Sequence, residues 1–117
     1  MIDDDFVEAQ RAALVRLREE LGEVVRLTGE GARPVDLDEP IGRISRVDAM
    51  QQQKMVAENR QAAQARRRRV EAALSRIEEE QYGECLSCGE EIDPRRLEAH
   101  PEAAFCVECQ GRREQRV

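Results

Sequence analysis

Cys85-Leu86-Ser87-Cys88 and Cys106-Val107-Glu108-Cys109 form two Cys-x-x-Cys pairs separated by 17 residues, and they hold all 4 cysteines of the chain. A two-residue spacer lets both thiolates of a pair turn toward one ion at ~2.3 Å, and two pairs complete the tetrahedral shell of structural zinc. Four sulfur ligands leave no position for water, so this composition points to a metal that holds the fold and performs no chemistry. Iron on the same thiolates and a redox dithiol are the alternatives that the residues leave open. So few apolar residues surround the pairs that metal binding must supply much of the module's folding free energy. His100, six residues before Cys106, is read as a non-ligand because the shell is already full. A single histidine and no cluster of nucleophile, base and oxyanion donors argue against an enzyme.

The elements that must position these cysteines are helical. Asp3, Asp4 and Asp5 put negative charge at a helix start, and Val7, Leu14, Leu17, Leu21 and Val24 recur as a heptad-like seam over about residues 3–28. Gly29, Gly31 and Pro34 then signal a tip loop at about 29–37. A second helix is predicted over about 38–80, with Asp38 as N-cap, Pro40 in the first turn, and Ile41, Ile44 and Val47 making an apolar face near the loop. Its seam continues as Val56, Ala63, Val70, Leu74 and Ile77, and Gly83 reads as its stop. The fold class is therefore mainly α: an antiparallel coiled-coil helical hairpin over 1–81, followed over 82–117 by a small four-cysteine zinc finger with a short terminal helix. Arg66, Arg67, Arg68 and Arg69 occupy all sides of more than one turn. The first reading is that they snorkel along the hairpin and pair with the acidic first helix; the second is a docking site for an anion or acidic protein.

Aromatic residues make up only 3 % of the chain and charged residues 38 %, which suits long exposed helices better than a large core. A net charge of −6 argues against general binding to duplex DNA, which needs clustered cations to displace counterions. No stretch approaches the ~18 apolar residues of a membrane span, and the acidic start is unlike a secretory signal. A soluble cytoplasmic protein is expected, and reduced thiols there favour metal over disulfide.

The cysteine pairs share a longer pattern, with Tyr82-Gly83 before them and Ile92, Arg95-Arg96-Leu97-Glu98-Ala99 and Pro101 between them. This run resembles the zinc finger of the DksA/TraR family, tightly from Tyr82 to Cys109, with Leu86 a departure at a non-ligand position. The family joins a coiled-coil hairpin to the finger, so the likeness covers most of the chain. It implies a transcription regulator that binds bacterial RNA polymerase directly, inserts the hairpin into the secondary channel, and alters promoter open complexes without binding DNA. In the best-known members the tip carries Asp-x-x-Asp-x-Ala; here Asp48 and Ala49 resemble part of it, Ser45 stands at the first acid, and the alanine comes one residue early. Some members respond to guanosine tetraphosphate through basic residues, to which Arg69, Arg95 and Arg96 are similar, whereas His100 replaces an arginine of the responsive members. Arg96 also has a structural reading, a pairing with Glu98 or Glu102 that braces the finger. A zinc-stabilised adaptor for another protein is the alternative function, and a thiol-based redox sensor a third. A monomer is expected.

Overall fold

The computed structural model describes residues 2–31 and 46–115. Four helices are present among them: α1 (Asp4–Gly31), α2 (Arg46–Glu78), α3 (Pro94–Ala99) and α4 (Val107–Gln115). Helices α1 and α2 form the antiparallel hairpin, and α3 and α4 belong to the cysteine module at its base. The chain measures 59 × 32 × 20 Å along its principal axes.

Helix α1 begins because Asp3 caps it: its carboxylate accepts the Phe6 N–H at 2.8 Å, while its carbonyl accepts the Val7 N–H at 3.0 Å. The helix passes the expected end at Thr28 and runs to Gly31. The Thr28 hydroxyl donates back to the Val24 carbonyl at 2.6 Å, a bond that keeps it within the helix. Gly29, read from sequence as loop, is covered by the Arg60 guanidinium, whose atoms lie 3.6–3.8 Å from the place a Cβ would take. The rest of the expected tip loop and the predicted start of the second helix, with Pro34, Asp38, Pro40, Ile41 and Ile44, lie outside the described residues.

The stop of α2 differs from the sequence reading. Glu80, not Gly83, takes the left-handed conformation, with φ of 59°. The Gln81 N–H reaches the Arg76 carbonyl at 2.8 Å and the Glu80 N–H reaches the Ile77 carbonyl at 3.1 Å, which is the paired bonding of a Schellman motif. Gly83 instead opens the finger. Its φ is 92°, and a Cβ there would sit 2.5 Å from Ile2 Cδ1.

Three contacts fix the hairpin register. Arg11 pairs with Glu78, Arg67 covers Gly22, and Arg60 covers Gly29, so each step up α1 is matched by an equal step down α2. Leu14, Leu21, Ala63, Val70, Ala73 and Ile77 are buried between the helices, with Val7, Leu17 and Leu74 packed beside them. Beyond Leu21 the seam passes to Val25, while Val24 is left exposed. At 3.6 residues per turn a strict seven-residue repeat drifts around the helix, and the four-residue step from Leu21 brings the stripe back to the partner. The core continues without a break through Tyr82 into Ile92, Leu97, Cys85 and Cys109 of the finger.

In the arginine run, Arg67 lies over Gly22 of α1 as a snorkelling side chain would, but the ion pairing departs from expectation. Arg66 ion-pairs with Glu102 of the finger at 3.1 Å and Arg67 with Glu71 of its own helix at 3.7 Å; among the described residues neither pairs with the acids of α1. The finger folds back against this part of α2, so its buried carboxylate lies nearer than the exposed acids of α1.

Candidate metal centre

Local backbone chemistry aims the sulfurs. In the first pair, Cys85 N–H donates to Glu90 O at 2.8 Å and Gly89 N–H returns to Cys85 O at 2.9 Å, closing a turn in which Gly89 has φ of 77°. A single antiparallel bridge, Glu84 to Glu91, anchors that turn, and Ile92 N–H donates to Gly83 O at 2.7 Å. The second pair sits on the first turn of α4. Cys106 occupies the N-cap position, its carbonyl accepting from Gln110 N–H at 2.9 Å and its sulfur facing the Cys109 N–H at 3.5 Å. A helix N-terminus favours a thiolate through its free N–H groups. A bond from Leu86 N–H to Ala104 O at 2.9 Å draws the two turns together.

The four sulfurs lie within 4.8 Å of one another, and Cys88 Sγ and Cys106 Sγ are 3.9 Å apart. An ion with sulfurs at ~2.3 Å in a tetrahedron has edges of ~3.8 Å, so the set fits one zinc. No disulfide joins these cysteines. Burial of Cys85 opposes its ionisation, but N–H groups of Cys88, Cys106 and Ser87 outweigh burial and lower its pKa to about 6. Contact with the Cys106 sulfur pushes Cys109 up to about 12. One thiolate thus raises the cost of the next, and a dication at the centre relieves that repulsion.

Helix α3 bridges the pairs. Asp93 caps it by accepting the Arg95 N–H at 2.9 Å, Pro94 fills the first position, and Leu97 is fully buried. That backbone bond, and then the Arg95 guanidinium, hold the Asp93 carboxyl below its ordinary range. Arg96 does brace the finger, but through a bond from its Nε to Phe105 O at 3.0 Å, one residue before Cys106; Glu102 is taken by Arg66. His100 lies outside the four-cysteine set and lines a side cleft with Arg69 and Arg96. Arg95 is absent from that cleft; it is exposed beside Asp93.

At the other end, Asp48 is exposed and Ala49 half-buried in the first turns of α2, and Ser45 lies outside the described residues. Thirty residues separate Asp48 from Glu78, roughly 45 Å along the helix at its usual rise.

Gln10, which the sequence reading did not single out, joins finger to hairpin through Tyr82 and Leu97, two residues of the finger pattern. Gln10 is buried, and its amide donates to Tyr82 Oη at 3.1 Å and to Leu97 O at 2.6 Å, while Tyr82 Oη donates to Pro101 O at 2.9 Å. The available signal was position: Gln10 is three residues after Val7 and four before Leu14, a polar residue on the apolar seam.

Comparison with known proteins agrees with this geometry. Residues 80–115 match the prokaryotic dksA/traR C4-type zinc finger. The RNA polymerase-binding transcription factor DksA of Escherichia coli K12 is 48% identical over 42 residues, 36% of this chain and 28% of that protein. The protein of the same name from Haemophilus influenzae is 41% identical over 51 residues, 44% of this chain and 35% of its own. The matches thus span about a third of these relatives' length. Similarity of structure extends further: transcription factor DksA2 from Pseudomonas aeruginosa superposes with a TM-score of 0.78 at 27% identity, covering 99% of this chain and 88% of that one. The solution structure of a DnaK suppressor protein from Agrobacterium tumefaciens C58 gives 0.59 at 28% identity, over 90% and 91%.

Proposed function

We propose, for a chain that is a C4-type zinc-finger protein of the DksA/TraR family, that it regulates transcription by binding bacterial RNA polymerase directly. The hairpin enters the secondary channel, and the protein modulates initiation without touching DNA. Cys85, Cys88, Cys106 and Cys109 hold one structural zinc, which supplies cross-linking of the finger and no reaction step. The observation that carries the reading is the rod: a 33-residue α2 with exposed Asp48 in its first turn, braced at the far end by the finger. A narrow channel admits such a shape, and a carboxylate at its leading end meets the polymerase interior. The protein acts as a monomer in the cytoplasm, where polymerase is found. Its net charge of −6 disfavours contact with DNA phosphates. Among the described residues no helix is long and apolar enough to cross a membrane.

Asp48→Asn tests the role of the tip. The variant is expected to bind polymerase as the parent does and to lose the effect on initiation. An unchanged transcriptional effect removes Asp48 from the mechanism.

A further inference from the structure

The finger takes one flank of the hairpin, held there by Gln10 of α1 and Arg66 of α2. The other flank carries a groove of about 420 Å³, with Arg11, Val15 and Arg18 of α1 on one wall and Glu71, Leu74 and Glu78 of α2 on the other. Val15 and Leu74 are half-buried at its centre and keep part of their apolar surface open. The two walls carry opposite charge. Arg11 is matched across the groove by Glu78 at 2.6 Å. Arg18 makes no ion pair among the described residues, and Glu71 turns to Arg67 of its own helix at 3.7 Å.

We infer that this groove is the contact between two copies of the chain, which pair flank to flank as a four-helix bundle with both fingers at one end. Two hairpins can lie face to face about a two-fold axis in two ways. With the axis across the hairpin, α1 lies on α1 and α2 on α2, which sets arginine against arginine and glutamate against glutamate. With the axis along the hairpin, α1 of each copy lies on α2 of the other at the same height, because the register steps equally along both helices. Arg18 then meets the partner's Glu71, Arg11 meets the partner's Glu78, and Val15 packs on the partner's Leu74. Further along, Arg67 and Arg60 face the partner's Gly22 and Gly29, where no side chain stands in the way. The second copy thus supplies the carboxylate that Arg18 lacks within its own chain. From Arg11 to Gly29 the flank is ~27 Å long at ~1.5 Å per residue and two helices, roughly 20 Å, wide, so pairing buries roughly 1,100 Å² in total, the low end of specific interfaces. Pairing is therefore weak and concentration-dependent. The inference goes beyond the polymerase reading: the monomer that enters the channel is the dissociated form, and the bundle, twice as thick, is its reservoir.

Sedimentation equilibrium of the zinc-loaded full chain, from micromolar to near-millimolar concentration, reads the effect without polymerase. The parent is expected to pass from the mass of one chain to that of two. Arg18→Glu and Glu71→Arg each set like charges against one another at both symmetric contacts and should weaken pairing at least tenfold. In an equimolar mixture of the two variants both contacts regain opposite charges, and pairing should return close to that of the parent. A parent that stays monomeric throughout, variants that pair as the parent does, or a mixture that pairs no better than its components would overturn the inference. Should either reversal lose zinc or helicity, Arg18→Gln decides. Weaker pairing than the parent upholds the contact, and equal pairing overturns it.

Discussion

Gln10 and Leu97 stand 87 residues apart in the chain, and the Gln10 amide donates a 2.6 Å hydrogen bond to the Leu97 carbonyl. With the second bond from the same amide to Tyr82 Oη, one side chain of α1 ties the hairpin to the helix between the cysteine pairs. Gln10→Leu keeps the volume but leaves a buried carbonyl without its donor, at a cost of about 1–3 kcal/mol. Denaturant unfolding of the zinc-loaded protein should show that loss, and an unchanged midpoint would remove Gln10 from the junction.

The clustering of the four cysteines and the hairpin were legible because each rests on a local pattern. A Cys-x-x-Cys turn is complete within four residues, and Leu14, Leu21, Val70 and Ile77 repeat at helical spacing whatever else the chain does. The Gln10, Tyr82 and Leu97 junction and the Arg66–Glu102 pair were not legible, since they arise only where the finger folds back on the hairpin. The exchange of Val24 for Val25 came from helical drift, which the sequence carries but a fixed heptad hides. Glu80 gave no signal at all: a glutamate in the left-handed conformation looks like any other acid near a helix end.

Glu80 should therefore respond to replacement by glycine. A non-glycine residue with φ of 59° carries a strain of ~1–2 kcal/mol, part of which is returned through the greater freedom of glycine in the unfolded chain. Glu80→Gly is expected to stabilise the protein by about 0.5–1 kcal/mol, read from the denaturation midpoint. Destabilisation would contradict the Schellman assignment.

Glycines divide into two kinds, and alanine tests which is which. At Gly22 and Gly29 a Cβ would meet the Arg67 and Arg60 guanidinium groups at 3.6–3.8 Å, an ordinary contact, so each Gly→Ala change should add about 0.5–1 kcal/mol through helix propensity. At Gly83 the positive φ and the approach to Ile2 reverse the sign. Thermal unfolding should rise for the first two and fall for Gly83→Ala.

Chelation of the metal should release one zinc per chain and unfold the finger, because the Cys85 and Cys109 part of the core depends on the ion. Helices α3 and α4 have 6 and 9 residues against 28 and 33 in the hairpin, so far-ultraviolet helicity should fall by about a fifth. Full retention of tertiary signals in the metal-free protein would contradict a structural metal.

The Asp93 cap adds a pH dependence. Its carboxyl lies below the ordinary value of 3.8, chiefly through the Arg95 N–H, so its contribution is present above that value and is lost as pH falls through the folded one. The Arg95 amide resonance should follow this titration below pH 3.8, and Asp93→Asn should abolish it. A titration at or above the ordinary value would contradict the cap.

The central claim is that this rod is shaped for the secondary channel of RNA polymerase. Binding of the zinc-loaded protein to bacterial core polymerase, with a known secondary-channel ligand as competitor, tests it most directly. Saturable binding that the competitor displaces is the expected result. Absence of binding by protein whose zinc content and helicity are intact would contradict the claim and assign the hairpin to a different partner.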